Sequence, residues 1–200
     1  MAKIMSEQKT VTPTPDALAQ AASAVSKGKG LPPVHLWNPP FCGDIDMRIA
    51  RDGTWFYEGT PIGRPALVKL FASILKLEEG KFYLVTPVEK VGIVVDDAPF
   101  VAVDFRVEGD GRAQRLVFVT NLGDEAEAGD AHPIRVTRDP ESGEPSPYVM
   151  IRAGLEALID RKSFYRLVEL CVHDIHQDES WFGLWSGGIF FPVILSRDLG

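Results

Sequence analysis

The chain has 200 residues, of which 45% are hydrophobic and 24% charged. That composition excludes wholesale disorder, collagen-like repeats and a disulfide scaffold. The formal net charge of −7 argues against a broad basic surface for duplex nucleic acid or anionic lipid. A local basic pocket stays open.

Residues 1–11 read as a tail without the apolar core of a secretory signal. Thr14-Pro15-Asp16 opens a short helix with a cap, a proline in the first turn and an acid beside it. Residues 28–40 carry Lys27-Gly28-Lys29-Gly30 at their start, then Pro32-Pro33 and Pro39-Pro40, an extended connector. Ile45 to Ile49 alternates as a half-buried strand. Asp52-Gly53 turns it, and Trp55-Phe56-Tyr57 returns. Pro65 to about Glu78 reads as a helix with Leu67, Leu70, Phe71 and Ile74 on one face and Gly80 as its stop. Strands follow at Phe82–Val85 and Val91–Val95, and a hairpin at Val101–Val107 and Arg115–Thr120. Asn121–Asp130 reads as an acidic loop. Ile134–Thr137 and Tyr148–Arg152 are strands separated by a loop over 139–147.

Ser163 is expected to cap a second helix whose apolar face is Phe164, Leu167, Val168, Cys171 and Ile175. Trp181–Trp185 and Ile189–Ile194 end the chain as a glycine-connected hairpin. The apolar run Leu184–Leu195 is too short to span a membrane, so no span is expected. With two distant cysteines, Cys42 and Cys171, a cytoplasmic location with free thiols is expected.

Ile62-Gly63-Arg64 and Ile159-Asp160-Arg161 open the two helices in matching fashion. The order of elements around them suggests duplication. The expected class is α+β: two related β-rich repeats, each with one main helix and mostly antiparallel sheets. The expected division is 1–34 tail, short helix and connector, 35–98 N-terminal repeat, and 99–200 C-terminal repeat.

The runs Pro40-Phe41-Cys42-Gly43-Asp44-Ile45-Asp46, Ile62-Gly63-Arg64 and Tyr83-Leu84-Val85-Thr86-Pro87-Val88-Glu89-Lys90-Val91 resemble a bacterial family called domain of unknown function 1285. So do Pro147-Tyr148-Val149 and Trp185-Ser186-Gly187-Gly188. The resemblance covers about residues 35–192. It implies a duplicated core, a C-terminal half loosely like a pleckstrin-homology fold, a pocket between the halves for a nucleotide-like ligand, and a role in signalling or stress.

The residues themselves offer several chemistries. Arg48, Arg64, Arg152 and Arg161 could supply positive charge to a small anionic ligand, or each could hold its own turn. Trp55, Tyr57 and Trp185 could wall a planar group or simply fill the core. Thr86, Glu89 and Lys90 could orient a ligand from one loop, or form a solvated turn. Glu169, His173 and His176 at helical spacing would share a face able to bind zinc for a metal-assisted hydrolase. Asp44 with Asp46, and Asp96 with Asp97, are the candidate carboxylate pairs. No phosphate loop, nucleophile elbow or dinucleotide fingerprint is present. The expectation is therefore a ligand-binding regulatory protein with no cofactor. The alternatives are the hydrolase and a protein-interaction module, with a homodimer or protein partner.

Overall fold

A computed structural model describes residues 14–25 and 30–199. The expected tail over 1–11 and the Lys27-Gly28-Lys29 stretch lie outside the described residues. The chain divides into two compact units. The first runs to Arg48 and resumes over Trp55–Val94. The second takes the turn Ile49–Thr54 and everything from Val95 onward.

In the first unit, α1 (Pro15–Val25) is capped as expected: the Ala17 N–H donates to Thr14 Oγ1 at 3.3 Å. Its buried residues Leu18 and Ala22 belong to the face that packs with α2 (Pro65–Ser73). The strands are β1 (Phe41–Ile49), β2 (Trp55–Tyr57), β3 (Thr60–Pro61), β4 (Leu75–Glu78), β5 (Lys81–Val85) and β6 (Lys90–Val95). They form one sheet in the order β3-β2-β1-β6-β5-β4. The alternation expected along β1 is present. Ile45, Met47 and Ile49 are buried, while Asp46 and Arg48 between them are exposed.

The first main helix is shorter than its spacing suggests. It ends at Ser73, and Leu75–Glu78 forms β4, paired with β5 through Leu75↔Leu84 and Leu77↔Phe82. Lys76-Leu77-Glu78 fits helical and strand periods equally, and pairing to β5 decides the matter. Glu79 and Gly80, both at positive φ, are the hairpin turn rather than a helix stop.

In the second unit, β7 (Phe100–Glu108), β8 (Arg115–Thr120), β9 (Glu125–Glu127), β10 (Ile134–Arg138), β11 (Pro145–Arg152) and β12 (Leu155–Ile159) form a sheet in the order β10-β11-β12-β7-β8-β9. The expected acidic loop therefore contains a strand, β9, whose Ala126 is buried against β8. The 139–147 loop gives up its last three residues to β11. Strand β12 follows β11 across Ala153-Gly154, both at positive φ.

The two sheets share one plan. Three strands run outward from the centre, three run back, and the first and last lie side by side. β12 and β7 are parallel. So are β1 and β6, tied by Lys90 N–H to Pro40 O (3.1 Å) and Asp96 N–H to Ile49 O (3.0 Å). The protein is thus α+β, dominated by two similar six-stranded sheets.

The helices do not follow this repeat. α2 lies between the third and fourth strands of its sheet. α3 (Arg161–Val168) follows the sixth strand of the other. The match between Arg64 and Arg161 is therefore not a structural equivalence. Ser163 is also not the cap of α3. Asp160 is, its carboxylate accepting the Ser163 N–H at 2.7 Å.

Beyond α3, a third sheet orders β13 (Val172–His176), β14 (Glu179–Ser186) and β15 (Ile189–Leu195). The buried Ser186 ties it to the six-stranded sheet of this unit. Its hydroxyl accepts the Leu116 N–H at 2.9 Å and donates to Ala128 O at 2.7 Å. Among the described residues, no helix is long and apolar enough to cross a membrane.

Candidate functional site

Seven of the expected ligand residues lie in the first unit, most of them engaged locally. Trp55 is 1% exposed and stacks on Phe71 with centroids 6.2 Å apart, so it is core. Arg48, on the outer face of β1, lies 4.9 Å from the Phe56 ring centroid. Tyr57 is half-buried at the end of β2; burial, then the Glu58 carboxylate, raises its phenol above the ordinary value. Arg64 is the exposed residue preceding α2 and makes no side-chain cap there.

Thr86 is fully buried, and its hydroxyl accepts the N–H groups of Val88 (3.4 Å) and Glu89 (3.2 Å). It builds the loop. Glu89 is half-buried, and that burial raises its carboxyl above the ordinary range. Lys90 donates to Glu78 at 2.7 Å and lies 5.0 Å from the Tyr83 ring centroid. Glu78 also holds Lys76 at 2.6 Å. Asp44 and Asp46 are exposed on β1.

The other three fall at separate places in the second unit. Arg152 pairs with Asp124 at 3.1 Å and lies over Phe100. Trp185 packs on Phe190 and beneath Arg112, whose guanidinium is 4.8 Å away. Arg112 is itself paired to Asp174 at 2.7 Å. Arg161 is the first residue of α3.

The expected zinc face does not form. α3 ends at Val168, and Glu169 is its last-turn cap. His173 and His176 lie on strand β13, three residues apart, and so point to opposite faces. His173 bonds Ser196 at 2.8 Å, and His176 packs on Phe190. Among the described residues, no three His, Cys, Asp or Glu side chains are grouped to hold a metal.

Cysteine chemistry also finds little support. Cys42 is the second residue of β1, and its thiol donates to Pro40 O at 3.5 Å. Cys171 follows α3 and is partly buried, which pushes its thiol up to about 12 and keeps it protonated at neutral pH.

Arg161 opens onto a cleft of about 360 Å³ within the second unit. The start of β11 contributes Pro145 and Pro147. The end of β12 contributes Leu158, and α3 contributes Phe164 and Tyr165. The turn Ile49–Thr54 brings in Arg51. That turn is held by Gly53, which lies against Asn121 and Val101 at positive φ, where a Cβ would strike the Asn121 amide at 2.5 Å.

Arg51 is held by two groups, one of which is held in turn by a third. Its Nε meets Asp97 at 3.2 Å, and its terminal nitrogen donates to Ser146 Oγ at 2.9 Å. The Tyr148 hydroxyl donates to Asp97 at 2.7 Å. Burial first, and then this bond, raises the Tyr148 phenol, so it stays a donor. Arg161 donates through Nε to the Tyr165 hydroxyl at 3.0 Å. That bond, more than the charges of Tyr165 and Glu144, raises its guanidinium above the ordinary value.

Arg51, Glu144 and Tyr165 were not among the residues singled out from sequence, and Phe164 reads only as part of an apolar helix face. Arg51 reads only as part of a turn and Glu144 only as part of a loop. Neither carries a signal that would find it.

Family models place the chain. Residues 32–98 match "Domain of unknown function (DUF1285), N-terminal domain", and residues 99–193 match "Protein of unknown function (DUF1285), C-terminal domain". The chain belongs to the DUF1285 family. A crystal structure of a DUF1285 family protein from Silicibacter pomeroyi DSS-3 is 67% identical, with a TM-score of 0.82 over 91% of this chain and 97% of that one. A second, from Shewanella baltica OS155, is 30% identical, with a TM-score of 0.49 over 62% of this chain and 91% of that one. No curated protein matches. The DUF1285 resemblance read from the sequence is thereby established.

Proposed function

We propose that this DUF1285 protein is a cytoplasmic, ligand-binding regulatory protein that holds a small anionic molecule in the cleft beside α3. One observation carries the reading. Arg161 lines a cleft walled by Pro145, Pro147, Leu158 and Phe164, and its terminal nitrogens make no hydrogen bond among the described residues. An arginine fork beside an apolar wall suits an acid group attached to an apolar or planar body. A cleft of about 360 Å³ sits at the small end of the roughly 300–1,000 Å³ typical of ligand sites. Asp97 is committed to Arg51, and Asp160 to the cap of α3, so these carboxylates serve to position the cleft. The two free cysteines support a reducing compartment.

The test is a thermal-shift panel of mononucleotides, sugar phosphates and aromatic carboxylates. A ligand at 100 times its Kd adds about 2.7 kcal/mol. For a chain of this length that raises Tm by roughly 5–11 °C. Arg161→Ala should abolish the shift while the unliganded Tm stays near wild type. No shift with any member, or a full shift in folded Arg161→Ala, would overturn the proposal.

A further inference from the structure

The charges around this cleft revise the ligand from a simple anion to one whose acid group is balanced by a cation, an inference that rests on the ligand-binding cleft proposed above. Four ionised side chains line it: Arg51 and Arg161 against Glu144 and Asp160. Two of the four are already used. Arg51 is held by Asp97, and Asp160 caps α3. That leaves one cation and one anion, Arg161 and Glu144. The Glu144 carboxylate makes no hydrogen bond or ion pair among the described residues.

Each of these two opposite charges rises from its own anchor. Arg161 is the first residue of α3 and is tied to Tyr165. Glu144 has its backbone pinned on both sides. Its N–H donates to Ser142 Oγ at 3.2 Å, and its carbonyl accepts the Asp139 N–H at 3.0 Å. Ser142 and Asp139 belong to a tight loop. The Asp139 carboxylate accepts the N–H groups of Ser142 (2.7 Å) and Glu141 (3.0 Å) and the Ser142 hydroxyl (2.9 Å). These bonds hold the Asp139 carboxyl below its ordinary range, so the loop stays locked at neutral pH. The cleft therefore presents one positive and one negative side chain, Arg161 and Glu144, each rising from an anchored backbone, with an apolar wall beside them.

We propose that the ligand is a zwitterion of amino-acid type. Its carboxylate pairs with Arg161, its ammonium with Glu144, and its apolar or aromatic side chain lies against Pro145, Pro147 and Phe164. A zwitterion adds no net charge to the cleft and gives Arg161 and Glu144 each a partner. A phosphate dianion would satisfy Arg161 but leave Glu144 facing like charge.

The probes are L-phenylalanine, L-tryptophan and L-leucine, and for each its N-acetyl form, which lacks the ammonium, and its amide, which lacks the carboxylate. Adenosine monophosphate is the anionic control. Binding to the full chain is read by calorimetry. At least one amino acid should bind, and both of its blocked forms should bind at least tenfold more weakly. Glu144→Gln should weaken the amino acid at least tenfold and leave the N-acetyl form unchanged.

If the N-acetyl form or the monophosphate binds as tightly as the amino acid, the zwitterion assignment falls and the anionic-ligand reading stands. The same holds if an amino acid binds equally well to wild type and Glu144→Gln. If no probe binds and no member of the anionic panel shifts Tm, both fall together.

Discussion

Thr86 separates a residue that builds a loop from one that touches a ligand. Its side chain is fully buried between β5 and β6. The hydroxyl accepts the Val88 N–H at 3.4 Å and the Glu89 N–H at 3.2 Å, and donates to Glu89 O at 3.4 Å. The backbone adds Thr86 N–H to Glu89 O at 2.9 Å. Thr86→Val keeps the shape and removes the oxygen. Val88 is 69% exposed, so its N–H can turn to water at little cost. The Glu89 N–H is the group left short of a partner, while the Glu89 carbonyl keeps the Thr86 N–H. One buried donor costs about 1–3 kcal/mol when orphaned. A loss of about 2 kcal/mol lowers Tm by roughly 4–8 °C in a chain of this size. Thr86→Ser restores the oxygen, losing only a methyl, and should recover most of the difference. Circular-dichroism melting of the three proteins decides it. A Thr86→Val protein that melts with wild type would refute the structural role.

Two further effects follow from geometry and charge. At Gly183 in β14 an added Cβ would meet the Phe190 ring at 2.7 Å and the Pro192 Cα at 3.0 Å, with the Phe191 carbonyl closer still. At Gly92 in β6 the obstacle is only the Asp44 carboxylate on an exposed side chain. Gly183→Ala should cost at least about 1–3 kcal/mol, because backbone must move. Gly92→Ala should cost much less, and urea midpoints compare the two. Separately, hydrogen bonds from Lys76, then Lys90, hold the Glu78 carboxyl below its ordinary value of 4.5. A group depressed by folding contributes its stability in full above the ordinary value and loses it as pH falls through the lowered one. Glu78→Gln should therefore melt below wild type at pH 7, with the gap closing as the pH drops well under 4. A gap that persists there would disprove the ionic origin.

What could be read from the sequence was whatever depended on neighbours in the chain. The alternation Ile45-Met47-Ile49 and the Asp52-Gly53 and Gly187-Gly188 turns are local, and the structure has all of them. β4, β12 and β13 are short strands whose partners define them. Val172-His173-Asp174-Ile175-His176 continues a helical period from α3, and only its pairing to β14 makes it a strand. The zinc face was lost with that element. The cleft was illegible for the same reason. Arg51, Glu144 and Arg161 are distant in sequence, and they meet because a turn, a loop and a helix start converge in one unit. Thr86 carried a signal that was ambiguous: a hydroxyl two and three residues before the backbone N–H groups of a loop reads as a turn-former or as a ligand contact.

The shared plan of the two sheets gives the sharpest contrast between Arg64 and Arg161. Both precede or open a helix, and from the sequence they look like copies. In the strand order they are not. α2 is inserted at the outer end of its sheet, between the third and fourth strands, whereas α3 leaves from the central strand β12. The residue before α3 is Asp160, whose carboxylate caps it, while the residue before α2 is Arg64 itself, with no side-chain cap. Duplication thus conserved the sheet and not the helix start, and charge at one start implies nothing about the other. Both side chains are exposed, so either alanine substitution should change stability by less than about 0.5 kcal/mol. Arg161→Ala should weaken the ligand of the cleft at least tenfold. Arg64→Ala should leave its Kd within twofold of wild type. Equal losses in the two variants would show that the arginines act as a pair after all, and that the symmetry of the fold extends to the helix starts.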